Sequence, residues 1–184
     1  MSKTILCDAD GVLLNWIDPF CEDHGITRDE FFQWDNAYPE DAFKSIKLFN
    51  ASAQVGFLPT IPGAIKGVKA LKNLGYDLHV VTSFGDCPYA CRLREDNLRR
   101  HFGEAFSVIH CLPLGSTKLD FLKANYGQHG HFFIEDNVQN ATLSLQADLQ
   151  PLILTQDWNM NATLNDDITR VDDWKDLVET IKVT

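Results

Sequence analysis

Five short apolar runs, "KTILCDAD", "DLHVVTSF", "FSVIHCL", "HFFIEDN" and "QPLILTQ", recur along the chain with helix-patterned segments between them. This alternation constrains the fold more than any other feature. Near-continuous apolar runs suit strands buried on both faces, and helices between them carry the crossovers of a parallel sheet. Between the first two runs, "LPTIPGAIKGVKALKNLGYD" supplies a proline start, then Ile65, Val68, Leu71 and Leu74 at helical spacing, with Gly75 as a stop. "PYACRLREDNLRRHFG", "VQNATLSLQAD" and the closing "DDWKDLVETIKV" read as further helices, and "STKLDFLKANYG" as a helix capped by serine or threonine. The expected class is α/β, a doubly wound parallel five-stranded sheet covered on both faces.

One stretch breaks the rhythm. From Trp16 to Leu58 the chain is far longer than an ordinary βα connection, and it holds nine of the 20 aromatic residues. That concentration implies a small helical unit with its own packing. The domain expectation is therefore a core of residues 1–15 and 59–184 and a helical cap of residues 16–58, lying over the crevice at the strand ends.

Composition narrows the partners. A formal net charge of −10 opposes binding to nucleic acid polymers or anionic membranes. The N-terminal "MSKTILCDADG" has no leader-like apolar stretch, and no run approaches the ~18 apolar residues of a membrane span, so a cytoplasmic location is expected. The five cysteines fit reduced thiols, and "CPYAC" lacks the second pair that a structural metal site needs.

Polar groups collect where the strands end. Asp8 and Asp10 follow the first run, Thr82 and Ser83 the second, Glu135 and Asp136 the fourth, and Lys118 stands near a helix start. Aspartate is a poor strand residue and paired carboxylates repel, so local folding preference alone does not account for "DADG". Each group taken singly has an ordinary explanation as a turn, a cap or a solvated face. Together, each at its own element boundary, they describe a site.

"DADGVL", "VVTS", the lysine of "STKLDFL" and "FIEDN" resemble the four motifs of the haloacid dehalogenase-like (HAD) hydrolase superfamily, with its Rossmann-like core. The resemblance spans Ile5 to about Asn137. It implies that Asp8 attacks a phosphoryl group to form an aspartyl-phosphate, and that Asp10 protonates the leaving alkoxide and then activates water. It also implies magnesium (Mg2+) held by Asp8, the Asp10 carbonyl and Asp136, with Glu135 at or beside the ion. Thr82 and the Ser83 N–H would hold phosphoryl oxygens, and Lys118 would neutralise charge in the transition state. Asp10 disfavours dehalogenation, which has no alkoxide to protonate. Receiver domains share the residue types, but their phosphorylated Asp lies on a middle strand.

The compact length, the short cap, "TS" and the closing "RVDDWKDLV" look similar to 5′(3′)-deoxyribonucleotidases, so the expected activity is phosphomonoesterase and the expected partner a nucleoside monophosphate. Those enzymes carry two aspartates in the fourth motif. Glu135-Asp136 instead resembles phosphosugar phosphatases and mutases, which stand as the alternative beside a non-catalytic phosphometabolite-binding protein. Trp16, Phe20 and Trp34 are the expected substrate contacts, because aromatic faces stack on nucleobases. The arginines at 92, 94, 99 and 100 are expected on the exposed surface of their helix, with one of the first two reaching a phosphate or sugar as the alternative.

Overall fold

The computed structural model describes residues 4–85 and 87–183; Lys3, quoted above at the start of the first run, lies outside them. The strands are β1 (Thr4–Cys7), β2 (Asp77–Ser83), β3 (Phe106–Leu112), β4 (Phe132–Glu135), β5 (Gln150–Leu154) and β6 (Thr169–Val171). They form one parallel sheet in the order β3-β2-β1-β4-β5-β6. The sheet has one strand more than the sequence suggested. β6 is three residues long between acidic stretches, too short to show a pattern, and it is recruited by pairing with Leu152–Leu154 of β5.

Strand order explains where a ligand belongs. From β1 the chain winds outward through β2 and β3, then returns to the other side of β1 with β4 and continues outward. The direction reverses between β1 and β4, and in open parallel sheets the crevice at such a reversal is where ligands bind.

The insertion comprises α1 (Ile17–His24), α2 (Arg28–Ala37), α3 (Pro39–Asn50) and a 3₁₀ turn at Ala53–Gly56. Thr27 begins α2 with a reciprocal cap, its side chain accepting from the Glu30 N–H while the Glu30 carboxylate takes the Thr27 N–H. Phe20 lies edge-on to Phe31 and Phe49 at 5.1 and 5.3 Å. This aromatic knot belongs to the same buried cluster as Ile5, Leu58 and Phe84 of the sheet layer. Trp16 Nε1 donates to Asn50 Oδ1 at 2.8 Å, and Asn50 Nδ2 donates to the Phe84 carbonyl at 3.0 Å, fastening insertion to core.

The remaining helices are α4 (Ala64–Asn73), α5 (Pro88–Phe102), α6 (Leu119–Tyr126), α7 (Val138–Ser144) and α8 (Trp174–Val183). α6 is not capped by serine or threonine as expected. Lys118 occupies the cap position with no side-chain cap bond, and Ser116 closes the preceding turn on the Pro113 carbonyl instead. Trp174 of α8 is buried against α4, where a Cβ at Gly67 would overlap the indole, and its Nε1 donates to the Val12 carbonyl at 2.9 Å. The closing helix thus braces the loop that follows β1. No helix among the described residues is long and apolar enough to cross a membrane.

Where β2 pairs with β3, Tyr126 Oη lies 2.8 Å from His79 Nδ1 and 2.9 Å from His110 Nε2, while His79 Nε2 reaches Asp77 at 3.1 Å. Phe121 packs edge-on to His110. Burial, reinforced by His79, lowers the His110 pKa below its ordinary 6.5. The unfolded chain therefore takes up this proton first as pH falls, so His110 costs stability on acidification. His110→Gln keeps a polar partner for Tyr126 that can donate or accept, without the titration. The variant is expected to lose less stability than the parent between pH 7 and pH 5.5, measured by urea unfolding; equal losses would contradict this reading.

Candidate active site

The loop after β1 is built around its own backbone. Leu13 and Leu14 N–H donate to the Ala9 carbonyl at 2.9 and 2.8 Å, and Gly11 supplies the positive φ of 74° that the turn needs. A Cβ at Gly11 would also overlap the Asp136 carboxylate. With the chain turning here, Asp8 and Asp10 both reach one cavity.

Asp8 is nearly buried, and its Oδ1 accepts from the Ala9 N–H at 2.7 Å and lies 2.8 Å from Lys118 Nζ. Lys118 also donates to Glu135 Oε1 at 2.6 Å. Burial by itself would lower the lysine pKa, but the carboxylates of Asp8 and Glu135 outweigh it and hold the ammonium above its ordinary value. Lys118 is a fixed cation between Asp8 and Glu135.

Glu135 is fully buried, and its capacity as an acceptor is largely spent. Oε1 takes Lys118 and Asn140 Nδ2, and Oε2 takes the N–H groups of Asp136 and Asn137 at 3.2 and 3.1 Å. Burial pushes its pKa up to about 7 against the pull of Lys118. Glu135 holds the lysine and shapes the turn after β4, while Asp136 faces the cavity. Asp136 Oδ2 accepts from Trp158 Nε1 at 3.0 Å, and its carbonyl accepts from Asn159 Nδ2 at 2.8 Å. Burial, then the charges of Glu135 and Asp8, raise the Asp136 pKa.

Oxygens of Asp8, Glu135 and Asp136 all lie within 4.8 Å of one another. Three carboxylates share this volume with the single ammonium of Lys118, leaving uncompensated negative charge. An all-oxygen donor set of this charge fits a hard divalent cation such as Mg2+.

Asp10 departs furthest from expectation in its surroundings. Its side chain is 29% exposed toward the cavity, yet both oxygens are gripped from behind by Arg94, Nη1 to Oδ1 at 2.5 Å and Nη2 to Oδ2 at 3.0 Å. Burial raises the Asp10 pKa and the guanidinium opposes the rise. The surface expectation for the α5 arginines is thus corrected at Arg94, which is fully buried. The signal lay in the spacing, since Ala90, Arg94, Asn97 and Leu98 share the inward face of α5.

The cavity is about 430 Å³ and brings together Asp8, Asp10, Thr82, Ser83, Lys118, Asp136 and Trp16. Ser83 Oγ donates to the Ser116 carbonyl at 3.3 Å. Of the expected aromatic contacts only Trp16 lines it. Phe20 is 0% exposed, stacked between Trp16 and His24 in the knot of the insertion, and Trp34 turns toward His24, 6.2 Å away. Helical spacing turned these two rings inward. Phe32 and Trp158 take their place, 5.9 Å apart between insertion and core, with Gln139 and Asn140 beside them. Trp158 had one sequence cue, an aromatic just beyond the fifth strand on the edge already carrying the carboxylates.

No family model and no curated protein matches this chain. Solved structures do. A predicted phosphatase from Clostridium acetobutylicum superposes with a TM-score of 0.72 at 17% identity, over 100% of each chain. The D,D-heptose 1,7-bisphosphate phosphatase of B. bronchiseptica, solved with magnesium and phosphate, gives 0.67 at 14% identity over 98% of each chain. A haloacid dehalogenase-like hydrolase from Streptococcus pneumoniae gives 0.67 at 12% identity, again over 98% of each. The chain has the haloacid dehalogenase-like hydrolase fold.

Removing Lys118 leaves two buried carboxylates without their cation, a loss of about 3 kcal/mol for a buried ion pair broken on one side. Lys118→Met is expected to lower the unfolding free energy from urea titration by that amount in EDTA, with a matching fall in the midpoint, and added Mg2+ should recover more stability in the variant than in the parent. Unchanged midpoints in EDTA would show that the lysine does not hold this cluster.

Proposed function

We propose that this chain is a Mg2+-dependent phosphomonoesterase that works through an aspartyl-phosphate on Asp8 and prefers a nucleoside monophosphate. The observation that carries the reading is the convergence of Asp8, Asp10, Lys118 and Asp136 on one cavity at the reversal point of a parallel sheet. Binding alone would not need a carboxylate nucleophile beside a second carboxylate placed to exchange protons.

In the first step an Asp8 carboxylate oxygen bonds to phosphorus. The bond from phosphorus to the ester oxygen breaks, and that oxygen leaves with the electron pair and takes a proton from Asp10. In the second step water attacks the same phosphorus and gives its proton to Asp10. The acyl phosphate bond breaks, which restores the Asp8 carboxylate and frees inorganic phosphate. Thr82, Ser83 and the Lys118 ammonium hold the phosphoryl oxygens and offset their charge. Asp8, Asp136 and the Asp10 carbonyl would hold Mg2+, which when bound supplies further positive charge where anionic nucleophile and phosphate meet.

The substrate preference rests on the walls. Trp16, Phe32 and Trp158 offer aromatic faces, each worth ~1–3 kcal/mol when a base stacks on it. Gln139 and Asn140 offer donors and acceptors to a base edge. A sugar phosphate is the second reading, favoured by the Glu135-Asp136 pair and by the shared fold of a heptose bisphosphate phosphatase that binds magnesium and phosphate.

The test is phosphate release from nucleoside monophosphates and hexose phosphates, with Mg2+ or EDTA. Release is expected only with Mg2+ and fastest from nucleotides, absent in Asp8→Asn and lowered at least about 100-fold in Asp10→Asn. Trp158→Ala should raise KM for nucleotides more than for sugar phosphates. Preference for sugars would replace the substrate and keep the chemistry, whereas full turnover by Asp8→Asn in EDTA would overturn the chemistry itself.

A further inference from the structure

Arg94 is an expensive residue to bury, and the packing of α5 does not call for it. The helix is already anchored by Ala90 and Leu98 in the core and by Asn97, whose Nδ2 donates to the Leu58 carbonyl at 3.1 Å. Arg94 instead spends both terminal nitrogens on one carboxylate. Its guanidinium lies 4.3 Å from the Phe84 ring centroid, a cation–π contact that fixes the plane of the fork. Among the described residues Nε is buried without a partner, so no other bond there explains the placement. Phe84 is itself held through its carbonyl by Asn50.

A fork of this kind takes one lone pair from each carboxylate oxygen and leaves the other free. It also stops rotation of the carboxylate about its own bond, which a single donor does not. Asp10 sits on a turn, with its exposed side toward the cavity and its gripped side toward α5.

We infer that Arg94 is a positioning residue: it locks Asp10 in the one orientation from which it exchanges protons with the leaving group and with water. The inference rests on the phosphatase reading above. Arg94 does not line the cavity, and its effect passes through Asp10.

That route gives a kinetic signature. With p-nitrophenyl phosphate the aryl oxide departs without needing a proton, so Asp8 is phosphorylated even when Asp10 is misplaced. Hydrolysis of the aspartyl-phosphate still requires water to lose its proton to Asp10. Arg94→Met is therefore expected to show a stoichiometric burst of p-nitrophenol followed by slow turnover, where the parent turns over steadily. With an alkyl phosphate, kcat should fall about 100-fold while KM stays within about threefold. Arg94→Met combined with Asp10→Asn should be no slower than Asp10→Asn alone, because both changes remove the same function. Arg94→Lys keeps the charge but grips one oxygen at a time. It should show the burst with a smaller kcat loss, and it carries the test if circular dichroism finds Arg94→Met unfolded.

Folded Arg94 variants with parental kcat and no burst would overturn the positioning role and leave the phosphatase reading intact. A loss confined to KM, or a double variant far slower than Asp10→Asn, would overturn it equally. A parent chain that releases phosphate from no ester would defeat the phosphatase reading, and the positioning role with it.

Discussion

Mutual repulsion among Asp8, Glu135 and Asp136 is the constraint around which this molecule is arranged. Carboxylates with oxygens within 4.8 Å of one another in a buried crevice do not stay together unaided. The surrounding chain supplies the compensation in fixed pieces: the Lys118 ammonium, the N–H groups of Asp136 and Asn137, the Asn140 amide and the Trp158 indole. They come from three separate parts of the sequence: the start of α6, the turn after β4 leading into α7, and the loop beyond β5. The cluster therefore exists only when β1, β4, α6 and the loop beyond β5 are all in place.

The sheet topology makes that assembly economical. β1 and β4 are neighbours because winding reverses between them, so their C-terminal residues meet without any long side chain having to reach. Asp8 N–H donates to the Ile134 carbonyl at 2.9 Å, extending the pairing of the two strands right up to the carboxylates. Trp174, from the last helix, then fixes the loop after β1 through the Val12 carbonyl. The first and last elements of the chain thus close on the same few residues, and Gly67 is the small residue in α4 that lets the indole come so near.

Much of this is legible in the sequence because it is local. Apolar runs announce five strands, and the carboxylates stand at their ends, where a parallel sheet must open to solvent. What sequence leaves open is decided by rotation about a helix axis and by contacts between distant segments. Phe20 and Trp34 turned toward the insertion's interior, Phe32 toward the cavity, and composition does not distinguish the three. Arg94 carried its cue in spacing, but the habit of arginine to lie at the surface outweighs spacing until its carboxylate partner is seen. Lys118 displaced the expected cap residue because its side chain is needed inward, a demand set by β1 and β4 rather than by α6.

The aromatic knot of the insertion, continuous with the buried cluster beneath the sheet, bears on how a chain of this kind diverges. An insertion with a separate interior is a module, exchangeable for another of different shape. Here Phe20, Phe31 and Phe49 share their interior with Ile5 and Leu58, and the Trp16–Asn50–Phe84 relay runs across the seam, so wholesale exchange would open the interior of the whole molecule. New ligand preferences are then reached one side chain at a time, along the rim where Trp16, Ile17, Phe31 and Phe32 meet the cavity. Folding and recognition overlap in this insertion, because Trp16 and Phe31 belong to the knot and to the cavity wall alike.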